Sequence, residues 1–275
     1  MQIATWNVNS LRVRLEQLLP WLQANEPQIV ALQETKVTDE LFPRAAIEAA
    51  GYQVVFNGER SYNGVAILAR SPLSETALAI PRFDDSQRRV LAACWTALAI
   101  PRFDDSQRRV LAACCGPLRI VNLYVPNGQE VGSPKYDYKL SWLRALREWL
   151  REELERYPQL VVLGDFNIAP EDRDVHDPAA WIGSVHVSEP ERTALRGLMQ
   201  LGLSDVFRRF EQPPQSFSWW DYRAGSFRRN HGLRIDLLLA SPALAERCTA
   251  CWIDRSPRAL QRASDHAPVL ASFDI

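Results

Sequence analysis

The sequence predicts an α/β protein folded as one domain, and three observations carry that expectation. Short apolar runs alternate with longer stretches of helical periodicity along the whole chain. Most of the runs end in a hydrophilic residue or pair, which is where α/β enzymes place chemistry. No linker-like stretch divides the 275 residues, 47% of them hydrophobic, and that composition suffices for one large core.

Taken in order, Ile3 to Val8 reads as a strand ending in Asn7 and Asn9. Ser10 is placed to cap an amphipathic helix, in which Pro20 marks a kink or a restart. Ile29 to Leu32 is a buried strand ending at Gln33 and Glu34, followed by Thr35 and Lys36. A helix is expected from about Asp39 to Ala50, stopped by Gly51. Tyr52 to Phe56 and Val65 to Leu68 read as strands.

The chain then repeats itself. Thr76 to Cys94 recurs letter for letter as Thr96 to Cys114. Solenoids need about three or more repeats, and those drift in sequence. Two identical copies (76–94 and 96–114) read instead as a recent tandem duplication or an artefact of cloning or assembly. Within a single domain spanning 1–275, one copy is expected to be extruded, roughly Pro81 to Arg102, because Val110 to Cys114 runs through the Gly116-Pro117 turn into the next strand.

That next strand, Leu118 to Val125, leads into Asn127 and Gly128, and Lys135 to Arg156 is a long helix with leucines on one face. The stretch Gln159 to Pro170 organises the rest. Leu160 to Leu163 is a continuous apolar run, as in a strand buried on both faces. After Gly164 come Asp165 and Asn167, two residues apart, so a carboxylate and an amide share one face at the lip of a sheet. The acidic loop Glu171 to Asp177, with His176, lacks the glycine and final glutamate of a cation loop and reads as solvated. A helix from about Glu189 to Leu201 follows. Leu233 to Ala240 is a strand carrying Asp236, and Val269 to Phe273 closes the sheet just after Asp265 and His266.

A net charge of −1 gives no global signal for nucleic acid. Locally, Arg223, Arg228, Arg229 and Arg234 surround Phe217, Trp219, Trp220, Tyr222 and Phe227, a mixture suited to a phosphate backbone and stacked bases. No run approaches the ~20 apolar residues of a membrane span, and the N-terminus is a strand pattern rather than a signal peptide. Five cysteines, an odd number with two adjacent, suit reduced thiols, so a cytoplasmic protein is expected. Cys248 and Cys251 form a CxxC without a second pair, which reads as a strand edge rather than a zinc site.

Asn7, Glu34, Tyr124 with Asn127, Asp165 with Asn167, Asp236, and Asp265 with His266 all fall at or near strand ends. Four carboxylates without adjacent lysines repel one another in an apolar setting. A hard divalent cation resolves the conflict, and oxygen ligands select Mg²⁺ or Mn²⁺. Ser264, His266 and Asp236 lack the GxSxG elbow of a serine hydrolase. Carboxylates, amides, a tyrosine and a histidine around such a cation suit phosphodiester hydrolysis.

Seven blocks, WNVNSLR, ALQETK, SYNGVAIL, VNLYVPNG, VVLGDFN, GLRIDLLLAS and SDHAPV, resemble in order the signatures of the exonuclease–endonuclease–phosphatase superfamily, and within it the exonuclease III group. The resemblance implies a four-layer sandwich of two packed mixed β-sheets flanked by helices. It implies a Mg²⁺-dependent DNA repair nuclease acting on duplex DNA, incising 5′ to abasic sites and removing 3′ nucleotides or blocking groups. Carried over, it puts Glu34 on the metal with Asn7, Asp265, Asp165 and Asn167 around it. Asp165, assisted by Asn167, orients or deprotonates the attacking water; Tyr124 lies against the phosphate; Asp236 pairs with His266. Whether Asp165 or His266 is the base stays open. Substrate-binding positions are Lys36, Tyr62, Asn127, Trp219, Arg223, Asn230, Leu233 and Ile235, with Trp219, Leu233 and Ile235 forming the pocket for a flipped-out sugar. A monomer without membrane contact is expected. Three readings compete: a phosphatase of lipid or inositol phosphates, a non-catalytic RNA- or protein-binding regulator on the same fold, and a product inactivated by the repeat.

Overall fold

The protein is described by a computed structural model covering residues 1–78, 80 and 107–275. These residues form strands Gln2–Asn7 (β1), Ile29–Gln33 (β2), Gln53–Asn57 (β3), Val65–Ala69 (β4), Leu73–Ala77 (β5), Val110–Cys115 (β6), Leu118–Tyr124 (β7), Leu160–Asp165 (β8), Ser204–Asp205 (β9), Asp236–Ala240 (β10), Cys248–Ile253 (β11) and Val269–Phe273 (β12). The longer helices are Leu11–Asn25 (α1), Pro134–Arg156 and Glu189–Met199; Arg44–Ala49 is a short one. In chain order these four are α1, α2 (Arg44–Ala49), α3 (Pro134–Arg156) and α4 (Glu189–Met199).

The described strands make two six-stranded mixed sheets with the same internal plan. The first runs β11-β12-β1-β2-β4-β3 and the second β5-β6-β7-β8-β10-β9. Each is centred on a parallel pair, β1 with β2 and β7 with β8, flanked by antiparallel neighbours. A parallel pair needs a crossover, supplied by α1 in one sheet and α3 in the other. Side-chain alternation then sorts the strands into layers. Ile3, Ala31, Ile67, Ile120, Leu163 and Leu238 meet between the sheets. Ala4, Trp6, Val30 and Leu68 face α1 and α2, while Val121, Val162 and Leu239 face α3 and α4. The result is a helix–sheet–sheet–helix sandwich.

Asn122, Gln33 and Thr5 bring polar side chains into the middle layer. Asn122 on β7 donates to the Leu32 and Ala66 carbonyls of the opposite sheet, at 2.9 and 2.8 Å, and accepts from Gln33 Nε2 at 2.7 Å. Buried polar groups demand such partners, so these bonds fix how the two sheets sit on each other.

Several local expectations are corrected. Ser10 makes no side-chain cap, because its N–H donates to the Glu34 carbonyl at 2.7 Å and that of Leu11 to Thr35 at 2.9 Å, tying the start of α1 to the loop after β2. α1 runs unbroken through Pro20. The helix expected from Asp39 is split: a single turn covers Asp39–Leu41, Phe42 is extended as a residue before proline prefers, and α2 begins after Pro43. The strand with Asp236 begins at that residue rather than at Leu233. The acidic loop is solvated at Glu171, Asp172 and Asp177 but not at Asp174. Asp174 is fully buried, paired with Arg208 and, at 2.6 Å, with Arg234. Arg234 also reaches Asp205 at 2.8 Å, so it braces the loop from inside and is absent from the basic surface. Cys248 and Cys251 lie on the outer strand β11 as buried free thiols.

Thr76 and Ala77 of the first repeat copy lie in β5, Val110 to Cys114 of the second lie in β6, and Ala77 pairs with Ala112. β6 turns through Gly116 and Pro117 into β7. The stretch expected to be extruded, Pro81 to Arg102, lies outside the described residues.

Candidate active site

Alternation along the strands decides which hydrophilic side chains meet. On β8, Val161 and Leu163 point between the sheets, and Asp165 continues that row. Asn7 follows Ile3 on β1, Tyr124 follows Ile120 on β7, and Asp236 precedes Leu238 on β10 in the same sense. Glu34 comes one residue beyond the end of β2, and His266 comes three before β12. All six emerge at one end of the seam, at the carboxyl ends of both parallel pairs. Gly164 permits this convergence: a Cβ there would lie 1.9 Å from the Leu123 carbonyl oxygen, so only glycine lets β8 close on β7.

At the centre, Asn7 Nδ2 donates to Glu34 Oε1 at 2.8 Å and to Asp165 Oδ2 at 3.0 Å. His266 Nδ1 sits 2.9 Å from Asp236 Oδ2, and its Nε2 sits 3.7 Å from Asp165 Oδ2. Ser218 Oγ donates to Asp236 at 2.6 Å and accepts the N–H groups of Ile235 and Asp236, both at 3.1 Å. Burial opposes an imidazolium, yet the charges of Asp236 and Asp165 raise the His266 pKa well above its ordinary value. Burial raises Asp165; the His266 charge offsets part of this, and Asp236 and Glu34 add to it. Burial and the Glu34 charge keep the Tyr124 hydroxyl protonated, under an Arg109 guanidinium 4.6 Å from the ring centre.

Asp165 Oδ1 accepts the Asn167 N–H at 2.8 Å, and Asn167 takes the left-handed conformation at φ 50°. Asn127 Nδ2 lies 3.4 Å from Asn167 Oδ1. Glu34 and Lys36 are also left-handed, at φ 50° and 51°, which folds the chain so that Lys36 Nζ meets Glu34 Oε2 at 2.8 Å. The carboxylates therefore are not bare, as the spacing had suggested: Lys36 and His266 sit against three of them. Asp265 is partnered separately, by Asn9 Nδ2 at 2.9 Å and Trp219 Nε1 at 3.0 Å.

Glu34, Asp165 and His266 each offer one ligand atom, all within 4.8 Å of one another. His266 is committed to Asp236 and held protonated, so it has no lone pair to give. What remains is a pair of carboxylates, one of them strained by its neighbours' negative charge, which fits a hard divalent cation held through oxygen. Asp265 stands outside this group.

Leu233 and Ile235 pack in one buried apolar cluster with Ala169 and Val175, and half-buried Trp219 covers it. Asn230 accepts from Trp220 Nε1 at 3.1 Å and donates to the Gln215 carbonyl, shaping the loop rather than entering the centre. Tyr62 is exposed, and Arg223 projects into solvent beside Asp221 at 2.6 Å.

Three partners escaped the sequence reading. Asn9 holds both Lys36, at 2.5 Å, and Asp265. Ser218 orients Asp236. His186 is buried, its Nδ1 2.7 Å from the Asn167 carbonyl, its Nε2 3.4 Å from Asn127 and its ring 6.4 Å from Trp219. A carbonyl only accepts, so Nδ1 carries the proton; burial and the charge of Lys139 push the His186 pKa down to about 3. Asn9 stood in plain view at a strand end; nothing in the letters around Ser218 or His186 marks them.

Carboxylates flanking an imidazolium at the seam of two sheets define a four-layer α/β hydrolase. The chain belongs to the Endonuclease/Exonuclease/phosphatase family, whose sequence profile matches residues 4–266. It is 32% identical to exodeoxyribonuclease III of Haemophilus influenzae over 282 residues, covering 99% of this chain and all of that one. Among solved structures it resembles the 3′ phosphatase NExo from Neisseria, bound to a product DNA hairpin, with 43% identity, a TM-score of 0.91 and full coverage of both chains. An AP endonuclease from Archaeoglobus fulgidus is 36% identical, with a TM-score of 0.88 and full coverage of both. No helix among the described residues is long and apolar enough to cross a membrane.

Proposed function

We propose that this DNA repair nuclease of the exodeoxyribonuclease III type hydrolyses phosphoester bonds at 3′ ends of duplex DNA, removing nucleotides and blocking groups, with Glu34 and Asp165 holding Mg²⁺ or Mn²⁺. The observation that carries the reading is the row Asp236–His266–Asp165. An imidazolium between two carboxylates cannot take a proton, so Asp165 is left as the basic group. Asp165 orients the attacking water and takes its proton. His266 presents its Nε2–H to a phosphate oxygen, where charge develops in the transition state. Tyr124 donates to the phosphate, Asn127 helps to position it, and Asn167 assists Asp165. A divalent cation held by Glu34 and Asp165 would supply charge neutralisation for the phosphate.

Incision 5′ to abasic sites is the second reading. It is supported by likeness to the archaeal AP endonuclease and by the apolar cluster of Leu233 and Ile235 under Trp219, beside Asp265. Extrusion of a baseless sugar forfeits no stacking, so apolar contact with such a cluster comes at little cost. A cytoplasmic monomer is part of the same reading, and the four described cysteines as free thiols support the compartment.

The test uses three duplex oligonucleotides, one with a recessed 3′ end, one with a 3′-phosphate and one with a single abasic site, with Mg²⁺ or with chelator. Release of 3′ nucleotides and phosphate only with Mg²⁺ is expected. No turnover on any of the three would sink the reading.

A further inference from the structure

Beneath the site lies a charged pair that the chemistry above does not use. Lys139, in the second turn of α3, is fully buried, as is its partner Glu191 on α4. The spacing of leucines along α3 gives no reason for a cation on its inner face. Its ammonium makes three bonds: to Glu191 Oε1 at 2.5 Å, to the Asn167 carbonyl at 2.7 Å and to the Asn127 carbonyl at 3.1 Å. Three donors and three acceptors leave it saturated.

Its partners are not arbitrary parts of the fold. Asn127 follows β7, and Asn167 follows β8 in the left-handed conformation that few non-glycine residues adopt. Asn167 is pinned at its N–H by Asp165 and at its carbonyl by Lys139 and by His186 Nδ1, each at 2.7 Å. Gly128, at φ 94°, lies over the lysine stem, where a Cβ would meet Cδ at 3.1 Å. Glu191 is itself fixed: it accepts the N–H of His186 at 3.1 Å and that of Ser188 at 3.2 Å, besides the Ser188 hydroxyl. One ammonium thus ties two loops of the site to each other and to the first turn of α4.

We propose that Lys139, held by Glu191, is a positioning residue of the reaction, setting the amides of Asn127 and Asn167 against Asp165 through their backbone carbonyls. This rests on the proposed phosphoester-cleaving role of that site. Displacement of a positioning group by a fraction of an ångström to one ångström costs rate rather than affinity, on the order of tenfold to a hundredfold.

A buried ion pair can be exchanged for apolar residues of similar volume without loss of fold, whereas removing one member leaves a buried charge. The variant is therefore Lys139→Met combined with Glu191→Leu, assayed on the recessed-end duplex beside Asp165→Asn. A kcat lowered at least tenfold is expected, with KM and DNA affinity near those of the parent; Tm falls with the acceptors Glu191 gave His186 and Ser188, whereas a merely structural pair would lower Tm and leave kcat. Wild-type kcat in the folded double variant overturns the proposal. If Asp165→Asn also turned over normally, the reading of the site itself would be at fault instead. Should the double variant melt below the assay temperature, Lys139→Gln is measured, whose amide can reach only part of the set. A three- to tenfold loss of kcat at unchanged KM is expected there, and parental kcat overturns the proposal equally.

Discussion

Asp236 opens β10 of one sheet and His266 lies in the loop leading into β12 of the other, yet their side chains meet at 2.9 Å with Ser218 fixing the carboxylate from behind. The imidazolium depends on this contact. Asp236→Asn removes one of the two charges that outweigh burial, so His266 will lose its proton at lower pH than in the parent. The alkaline limb of the kcat–pH profile is expected to move to lower pH. A profile identical to that of the parent would mean that His266 is not needed as a cation.

Asp165→Asn and Glu34→Ala are each expected to lower Mg²⁺-dependent kcat by roughly 10²-fold or more. Affinity for duplex DNA should hold within a few-fold, since phosphate contacts from basic side chains supply it. The check is steady-state cleavage alongside fluorescence anisotropy. Parental turnover in either variant is the outcome that sinks the assigned centre.

Trp219 covers Leu233 and Ile235 while its Nε1 donates to Asp265. Trp219→Ala is expected to reduce abasic-site incision by about tenfold or more, the scale of one aromatic stacking partner. Trp219→Phe separates the two roles, keeping the ring and losing the donor. Equal losses on abasic and recessed-end substrates would reduce Trp219 to packing.

His186 is buried and neutral, its pKa pushed down to about 3 from 6.5. Below pH 6.5 the unfolded chain takes up a proton that the folded one refuses, so stability falls as pH falls through that window. Between pH 6.5 and 5 this amounts to on the order of 2 kcal/mol at most. His186→Gln should melt at a more similar temperature at pH 5 and pH 7 than the parent does. An unchanged gap between the two pH values in the variant would show that other groups set this slope.

Deleting one 20-residue period of the repeat joins the β5 end of the first copy to the β6 start of the second. We propose that the protein is one domain and that one copy's worth of the repeat is surplus to it. Longer loops cost little, only on the order of 1 kcal/mol for such a change. The deletion should therefore raise Tm and solubility, leaving cleavage of the recessed-end duplex as it was. An insoluble or unfolded product would mean that the deleted residues are needed for the fold.

The fold and the centre differed in how far the letters revealed them. The strand ends at Asn7, Glu34 and Asp165 were visible because a buried strand reads as an apolar run that stops abruptly, while Asp236 and His266 stood out as hydrophilic residues within or just ahead of such a run. That the two sheets place these ends at one seam follows from alternation, but only once the sheets are stacked. Asp174 misled because its partner Arg234 is sixty residues away and reads as one more surface arginine. Lys36 was seen, but not that two left-handed residues would fold it onto Glu34. Asn122 and Lys139 stayed hidden for the same reason: a polar residue within an apolar pattern declares its role only when its distant acceptors are known.

All strands of the second sheet lie between Leu73 and Ala240, and the first is built from what precedes and follows. The chain is in effect one sheet inserted within another. Asn7, Glu34 and His266 belong to the outer segments, and Tyr124, Asp165 and Asp236 to the inner one, so neither part owns a working set. Cut at Ser71-Pro72 and again after Ser241, the enzyme becomes a coincidence detector. Its fragments would be silent apart, and nuclease activity would report only their meeting.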